Sequence, residues 1–195
     1  MAAKPDIHPL MPDRWDDLVQ LFGPERGAYG GCWCMYWRHD GTRRAFYEGS
    51  RAEHKRQFGE IVRTDVRPPG LIAYLDAQPV GWVAVGPRDA FPRFRKTKAS
   101  RLEDGASHDG IWSINCFYID RTVRGRGLMA DLLDAAVRFA RDHGAVAVDA
   151  APLDVTRKLI AGEGYVGVAS VFRAAGFEII SRASVPRPLM RLVVS

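Results

Sequence analysis

Residues 121–133 read RTVRGRGLMADLL, two glycines set among arginines directly ahead of an apolar run. Gly125 and Gly127 admit backbone angles denied to other residues, so successive N–H groups can turn toward one point. A helix beginning near Leu128 would add the positive end of its dipole at the same place. A pyrophosphate suits such a cradle, with Arg124 and Arg126 supplying charge to phosphate oxygens. Strand-to-helix turns also carry glycine for purely local reasons, and arginines are ordinarily just solvated, so the turn alone leaves both readings open. The third glycine of a dinucleotide fingerprint is missing, as is the Gly-Lys-Ser/Thr of a P-loop.

A second concentration of reactive groups lies in residues 27–39, GAYGGCWCMYWRH, which follow neither a helical nor a strand period. Cys34, Tyr36 and Trp37 could line an apolar pocket for a small substrate, since aromatic and sulfur-bearing side chains build such walls. The same residues could equally form a satellite core under the first helices. Cys32-x-Cys34 with His39 lacks finger spacing and a second ligand pair, so no metal is assigned. A Cys34 nucleophile would need a partner that depresses its pKa, and none is evident from spacing.

The elements that must position these groups are visible as changes of period. Asp13 is expected to cap a short helix carrying Trp15, Leu18, Val19 and Phe22, stopped by Gly23-Pro24. Ser50 with Glu53 reads as a capping box that opens a helix through about Arg63, before Pro68-Pro69. Residues 70–77 and 79–86 are β-rich runs across a tight turn, and 111–119 is a third. From Leu128 the apolar residues Leu132, Ala135, Ala136 and Phe139 fall at helical spacing, ended by Gly144. A short buried strand over 145–150, a polar-capped stretch over 154–161 and a short helix over 168–175 follow. Two final β-runs, 177–183 and 189–194, flank the turn signal Pro186-Arg187-Pro188. Residues 86–110, rich in Arg, Lys, Asp and Pro, read as a long surface loop. The order predicts one α/β (α+β) domain over residues 1–195, a mixed sheet flanked by helices.

Composition narrows the function classes. At 195 residues with 47% hydrophobic content, the chain can bury a core without disulfide or metal staples. Cys32, Cys34 and Cys116 make an odd set, which points to free thiols and a cytoplasmic setting. The first ten residues carry no apolar signal segment, and no apolar run reaches the length of a membrane span. A net charge of +5, carried by 23 Arg and 5 Lys against 23 acidic residues, is too small an excess to point to nucleic acid.

Residues 115–133, NCFYIDRTVRGRGLMADLL, resemble the acetyl-coenzyme A motif of the GNAT N-acetyltransferase superfamily, Gln/Arg-x-x-Gly-x-Gly/Ala between a central strand and a helix. Arg124, Gly127 and Met129 take the three defining places, Met129 standing where Gly or Ala is usual. Residues 172–177, FRAAGF, resemble the superfamily's C-terminal helix-to-strand signature. The resemblance implies a mixed, mostly antiparallel sheet and transfer of an acetyl group from acetyl-CoA to an amine of a small molecule or protein, by direct attack on the thioester. Cys116, Phe117, Tyr118 and Ile119 would then face the pantetheine arm, with Arg124, Gly125, Arg126, Gly127, Leu128 and Met129 around the pyrophosphate.

The superfamily's tyrosine acid, four residues before the Gly of Gly-Phe, is Phe172 in this chain. Either Tyr165 supplies the hydroxyl or the thiolate leaves unassisted, which thiol acidity tolerates. No carboxylate lies within 111–119. Asn115 or Ser113 acting through water, or His39, Asp40 or Glu103 from elsewhere, are the candidates for taking the amine proton. Acceptor recognition falls to residues 27–39 and 86–110, with a homodimer partner as a further candidate. The alternatives are an acyl-CoA sensor on the same fold, suggested by Phe172, and last a nucleic-acid binder using Arg88, Arg93, Arg95, Lys96, Lys98 and Arg101.

Overall fold

β2 (Gly70–Leu75) and β3 (Gln78–Pro87) pair antiparallel, and the turn between them places Asp76 and Ala77 at φ 49° and 60°. That left-handed pair matches the twist of the two strands, here without the glycine such turns usually use. The computed structural model describes residues 4–103, 105–157 and 163–194. On one side the hairpin adds β1 (Asp6–Pro9), and on the other β4 (Ile111–Ile119). Next come β5 (Ala147–Ala150), β7 (Leu189–Val193) and, at the far edge, β6 (Glu178–Ser181). Of the neighbouring strands only β4 and β5 run parallel.

α5 (Leu128–Asp142) is the crossover between those parallel strands and buries Leu132, Leu133, Ala136 and Ala140 against one face of the sheet. α6 (Ala169–Ala174) joins it there through Ala169 and Phe172. The opposite face is covered by α1 (Trp15–Phe22), α2 (Arg43–Glu48) and α3 (Arg51–Thr64), which bury Leu18, Phe22, Phe46 and Phe58 around Trp82. A smaller cluster on that side gathers Trp37, Phe91, Phe94, Ala151, Val166 and Leu189.

Several elements depart from the expectations. Asp13 does not cap α1; it lies in a short 3₁₀ turn (Pro12–Arg14) and its carboxylate meets Arg14 at 3.3 Å. Ser50 caps α3 as expected, accepting from the Glu53 N–H at 3.1 Å, but the Glu53 carboxylate turns to Arg56 and Gln57 instead of back to Ser50. β1 and α2 carry too few apolar residues to show a period and exist because a sheet edge and a core wall receive them.

The larger correction concerns residues 86–110. They begin inside β3, turn through Arg88–Ala90 into α4 (Pro92–Lys96), and bury Phe91, Phe94 and Ala99. Arg88 is only 1% exposed, ion-paired with the fully buried Asp149 of β5 and donating to the Ser100 carbonyl at 2.6 Å. Arg191 of β7 completes the set by donating to Asp149 at 2.7 and 2.9 Å. Arginine-rich composition reads as solvated surface unless the countercharge, here about sixty residues away in sequence, is known. The stretch expected over 154–161 lies partly outside the described residues.

Candidate active site

β4 is the backbone of the site. Its partner register on β3 runs from Gly81↔Ile119 to Ala84↔Cys116, then resumes at Val85↔Ile114, so Asn115 is the extra residue of a bulge. The insertion reverses the strand's facing. Trp112 and Ile114 point to the α5 side before the bulge and Phe117 and Ile119 after it, which leaves Cys116 and Tyr118 on the α1–α3 side. Asn115 is 2% exposed; its Nδ2 donates to Ser113 Oγ at 3.1 Å, while its Oδ1 is buried without a partner among the described residues.

Pairing of β4 with β5 stops early. It covers Ile111↔Ala147, Trp112↔Val148 and Ser113↔Asp149, and beyond Ser113 no described strand lies along that edge of β4. The two parallel strands therefore splay. A β4 edge with open hydrogen-bonding groups results, able to take an extended ligand the way a sheet edge takes another strand.

At the end of the splay lies the glycine turn. Gly125 and Gly127 sit at φ 78° and 86°, and a Cβ at either would meet nothing within 4 Å. The pair is thus demanded by backbone angle and not by crowding. The N–H groups of residues 125–129 find no acceptor among the described residues, and no side chain caps α5. Free donors beside the positive end of a helix dipole suit an anion. Arg124 is drawn back, its Nε donating to the Ile119 carbonyl at 2.9 Å, whereas Arg126 lines a depression of about 120 Å³ with Leu75, Asp76, Leu128 and Asp131. Leu128 is buried against the core, and Met129 packs beside it half-buried.

On the α1–α3 side, Tyr36, Trp37, Cys116, Leu153 and Tyr165 come together in the third cluster. Tyr36 stacks edge-on against Trp37 at 4.8 Å. Burial pushes the Tyr165 hydroxyl up to about 12, against the opposing pull of Arg187. Arg187 donates from Nε to the carbonyl of Ala151, the residue after β5, at 2.9 Å, and its guanidinium lies 5.2 Å from the Trp37 ring centre. The Trp37 indole N–H is buried with no partner among the described residues.

The expected catalytic and pocket residues thus divide. Tyr165, Tyr36 and Trp37 meet beside Cys116 at the splay. Phe172 does not face this side: it is buried under α5, edge-on to Phe117 at 6.1 Å and to Phe177 at 5.0 Å. Cys34 sits deeper, in the second cluster, its sulfur accepting the Trp82 indole N–H at 2.9 Å. The chain there passes through Trp33 and Cys34 at φ 43° and 58°, left-handed angles that are costly for such side chains. Burial, then Cys34, push the Cys32 thiol up to about 12, and a hydrogen bond to Cys34 followed by burial raises Cys116 well above the ordinary thiol range. Neither is a thiolate at neutral pH. His39 accepts the Gly41 N–H at 3.0 Å and Asp40 pairs with Lys96 at the surface. Arg187, beside this cluster, was passed over by sequence reasoning; a cation held between two prolines was its only signal.

A bulged central strand, a splay against its parallel neighbour and a glycine cradle at the crossover helix make a joint signature. Residues 15–158 match the acetyltransferase (GNAT) family. The chain belongs to that family. With membership comes the GNAT reaction, transfer of an acetyl group from acetyl-CoA to an amine. No curated protein sequence matches the chain. Among solved structures, the GNAT chain is similar to an N-acetyltransferase from Staphylococcus aureus Mu50, at 12% identity and TM-score 0.57 over 99% of this chain and 100% of that one. It is similar to PaiA N-acetyltransferase of Thermoplasma acidophilum in complex with coenzyme A, at 14% identity, TM-score 0.53, and 98% and 99% of the two chains. A third likeness is to YncA of Salmonella typhimurium with its cofactor acetyl-CoA, at 13% identity, TM-score 0.55, and 99% and 95% coverage. At these identities the likeness is one of fold. No helix among the described residues is long and apolar enough to cross a membrane.

Proposed function

We propose that the splay between β4 and β5 is the acetyl-CoA slot of this acetyltransferase and that the aromatic cluster on the α1–α3 side receives the amine. The single observation that carries the reading is the end of β4–β5 pairing at Ser113↔Asp149, which opens a strand edge leading straight to the Gly125–Gly127 turn. The bound thioester supplies an activated acetyl group; everything else is supplied by the chain.

The backbone of Cys116, Phe117, Tyr118 and Ile119 offers the edge for the pantetheine arm, and N–H groups there are placed to hold charge on a carbonyl oxygen. Residues 124–129 take the pyrophosphate on free N–H groups. Tyr165 holds its proton at neutral pH and donates toward the departing sulfur. The buried, unpaired Oδ1 of Asn115 offers an acceptor for a water or for the amine itself. A direct transfer is supported over a cysteine intermediate because Cys34 is buried with its sulfur accepting the Trp82 indole N–H, and the Cys32 and Cys116 thiols are held protonated. One sheet drawing strands from Asp6 to Val193 supports a single acyltransferase domain. Free Cys32, Cys34 and Cys116 support a cytoplasmic setting, and the exposed Ile180 on the edge strand β6 supports pairing with a second copy.

Thermal unfolding with and without acetyl-CoA tests the slot. Ligand at a hundred times its Kd contributes about 2.7 kcal/mol, several degrees for a chain of this size. Gly127→Val should abolish that shift, because a branched side chain at φ 86° carries a cost of about 1–2 kcal/mol and forces the turn to rearrange. An unchanged shift in the variant would refute the placement of the pyrophosphate. Stabilisation without thiol release across amines, peptides and aminoglycosides would identify a sensor instead of a catalyst.

A further inference from the structure

Arg187 is a half-buried cation stacked on the Trp37 ring. Burial lowers its pKa, and the groups opposing that are the phenols of Tyr165 and Tyr36, with no ion-pair carboxylate beside it among the described residues. Its Nε is engaged by the Ala151 carbonyl, but among the described residues no acceptor meets its two terminal nitrogens. Arg88, buried in the same half of the sheet, is neutralised by Asp149, and Arg93, buried over the Tyr36 ring, donates to the Gly41 and Thr42 carbonyls. A half-buried guanidinium held against an indole, with both terminal nitrogens free of acceptors among the described residues, is placed to take an anionic ligand.

Its position says which ligand. Ala151 directly follows β5, so Arg187 is pinned at the mouth of the splay, on the side where Cys116, Tyr36, Trp37 and Tyr165 gather. The turn that carries it, Pro186-Arg187-Pro188, joins β6 to β7 and restricts the backbone on both sides of the arginine. A guanidinium fork matches a planar carboxylate in two parallel hydrogen bonds, and an apolar rim strengthens them.

Resting on the acetyltransferase reading above, we propose that Arg187 binds a carboxylate of the acceptor, so that the substrate is an amine carrying its own carboxylate, as an amino acid does. A second consequence follows from the same charge. An amine entering beside an uncompensated guanidinium is disfavoured as the ammonium, which helps explain how a strand without a carboxylate base can deliver a free amine. An acceptor with no anion meets only the repulsion.

The test is a set of matched pairs, apolar and aromatic α-amino acids against their carboxamides, offered with acetyl-CoA while free thiol is followed. The acid of each active pair should exceed its amide in kcat/KM by at least about tenfold, since a site built to pair a charge penalises the ligand that lacks it. Arg187→Gln should shrink that ratio to within about twofold, mainly through KM of the acid, and Arg187→Lys, which keeps charge without the fork, should restore part of it. Acetyl-CoA-induced thermal stabilisation in each variant shows that the fold and slot persist. Amides accepted as well as acids, an acid preference that survives Arg187→Gln, or no transfer to any pair with coenzyme stabilisation intact would each overturn the proposal alone. Absence of coenzyme stabilisation in the unaltered protein would instead overturn the functional reading beneath it.

Discussion

Tyr165 illustrates how much a burial state changes the chemistry of a side chain. With its hydroxyl pushed up to about 12, it is fully protonated across the working range of an enzyme. Complete transfer of that proton to a thiolate whose acid has a pKa near 8.5 is uphill by roughly 5 kcal/mol at about 1.36 kcal/mol per unit. Its contribution is therefore a hydrogen bond to a developing charge more than a finished proton transfer. Tyr165→Phe should lower kcat about tenfold, not a thousandfold, and leave acetyl-CoA stabilisation intact; an unaltered kcat would remove Tyr165 from the mechanism. Phe172, which takes the place of the superfamily tyrosine, is accounted for by packing: buried among Phe117 and Phe177, a hydroxyl there would need a partner.

At the scale of elements, the decisive feature is how β5 is held. Only three register pairs join it to β4, so its position depends on β7 and on Asp149, which receives Arg88 from beyond β3 and Arg191 from β7. The width of the splay is thereby tied to a fully buried ion cluster. Removing the shared carboxylate leaves Arg88 buried and unpaired, the situation that costs about 3–5 kcal/mol. Asp149→Ala should lower the urea midpoint accordingly with little change in slope, and the acetyl-CoA shift should weaken with it. A loss below about 1 kcal/mol would show that β7 pairing alone holds the strand. The ranges of β2, β3, β4 and α5 were legible to within a residue or two, because each combines a sustained period with a glycine or turn stop. β1, α2 and α4 were not, because their few apolar residues take meaning only from the surface they cover.

For the whole molecule, acid is the informative stress. Glu53, held down to about 2 chiefly by Arg56, and Asp154, Asp120 and Asp40, lowered chiefly by Arg173, Thr122 and Lys96, all favour their ionised forms in the folded state. A depressed folded pKa contributes stability that is complete above the unfolded value, about 4.5 for a glutamate, and lost as pH falls toward the folded one. His108, whose pKa is lowered by burial and by Arg88, adds a small loss as pH falls below about 6.5, and the larger decline in Tm should come between about 4.5 and 2. These pairs are exposed, so the decline should be shallow and smaller still at high salt. A Tm that rises on acidification over that window would contradict the assignment.

By itself the sequence determined the parts whose signals are local: the glycine turn ahead of an amphipathic helix, the strand before it, the free thiols and the order of the longer strands and helices. Backbone freedom and apolar periodicity act over a few residues, so they are written where they operate. Only the tertiary structure decided that β4 and β5 part after Ser113, that Arg88 is interior, and that Arg187 meets Tyr36, Trp37 and Tyr165 at the opening. Charge burial and strand splay are relations between segments far apart in the chain, and composition carries no record of which partner, if any, a buried charge will find.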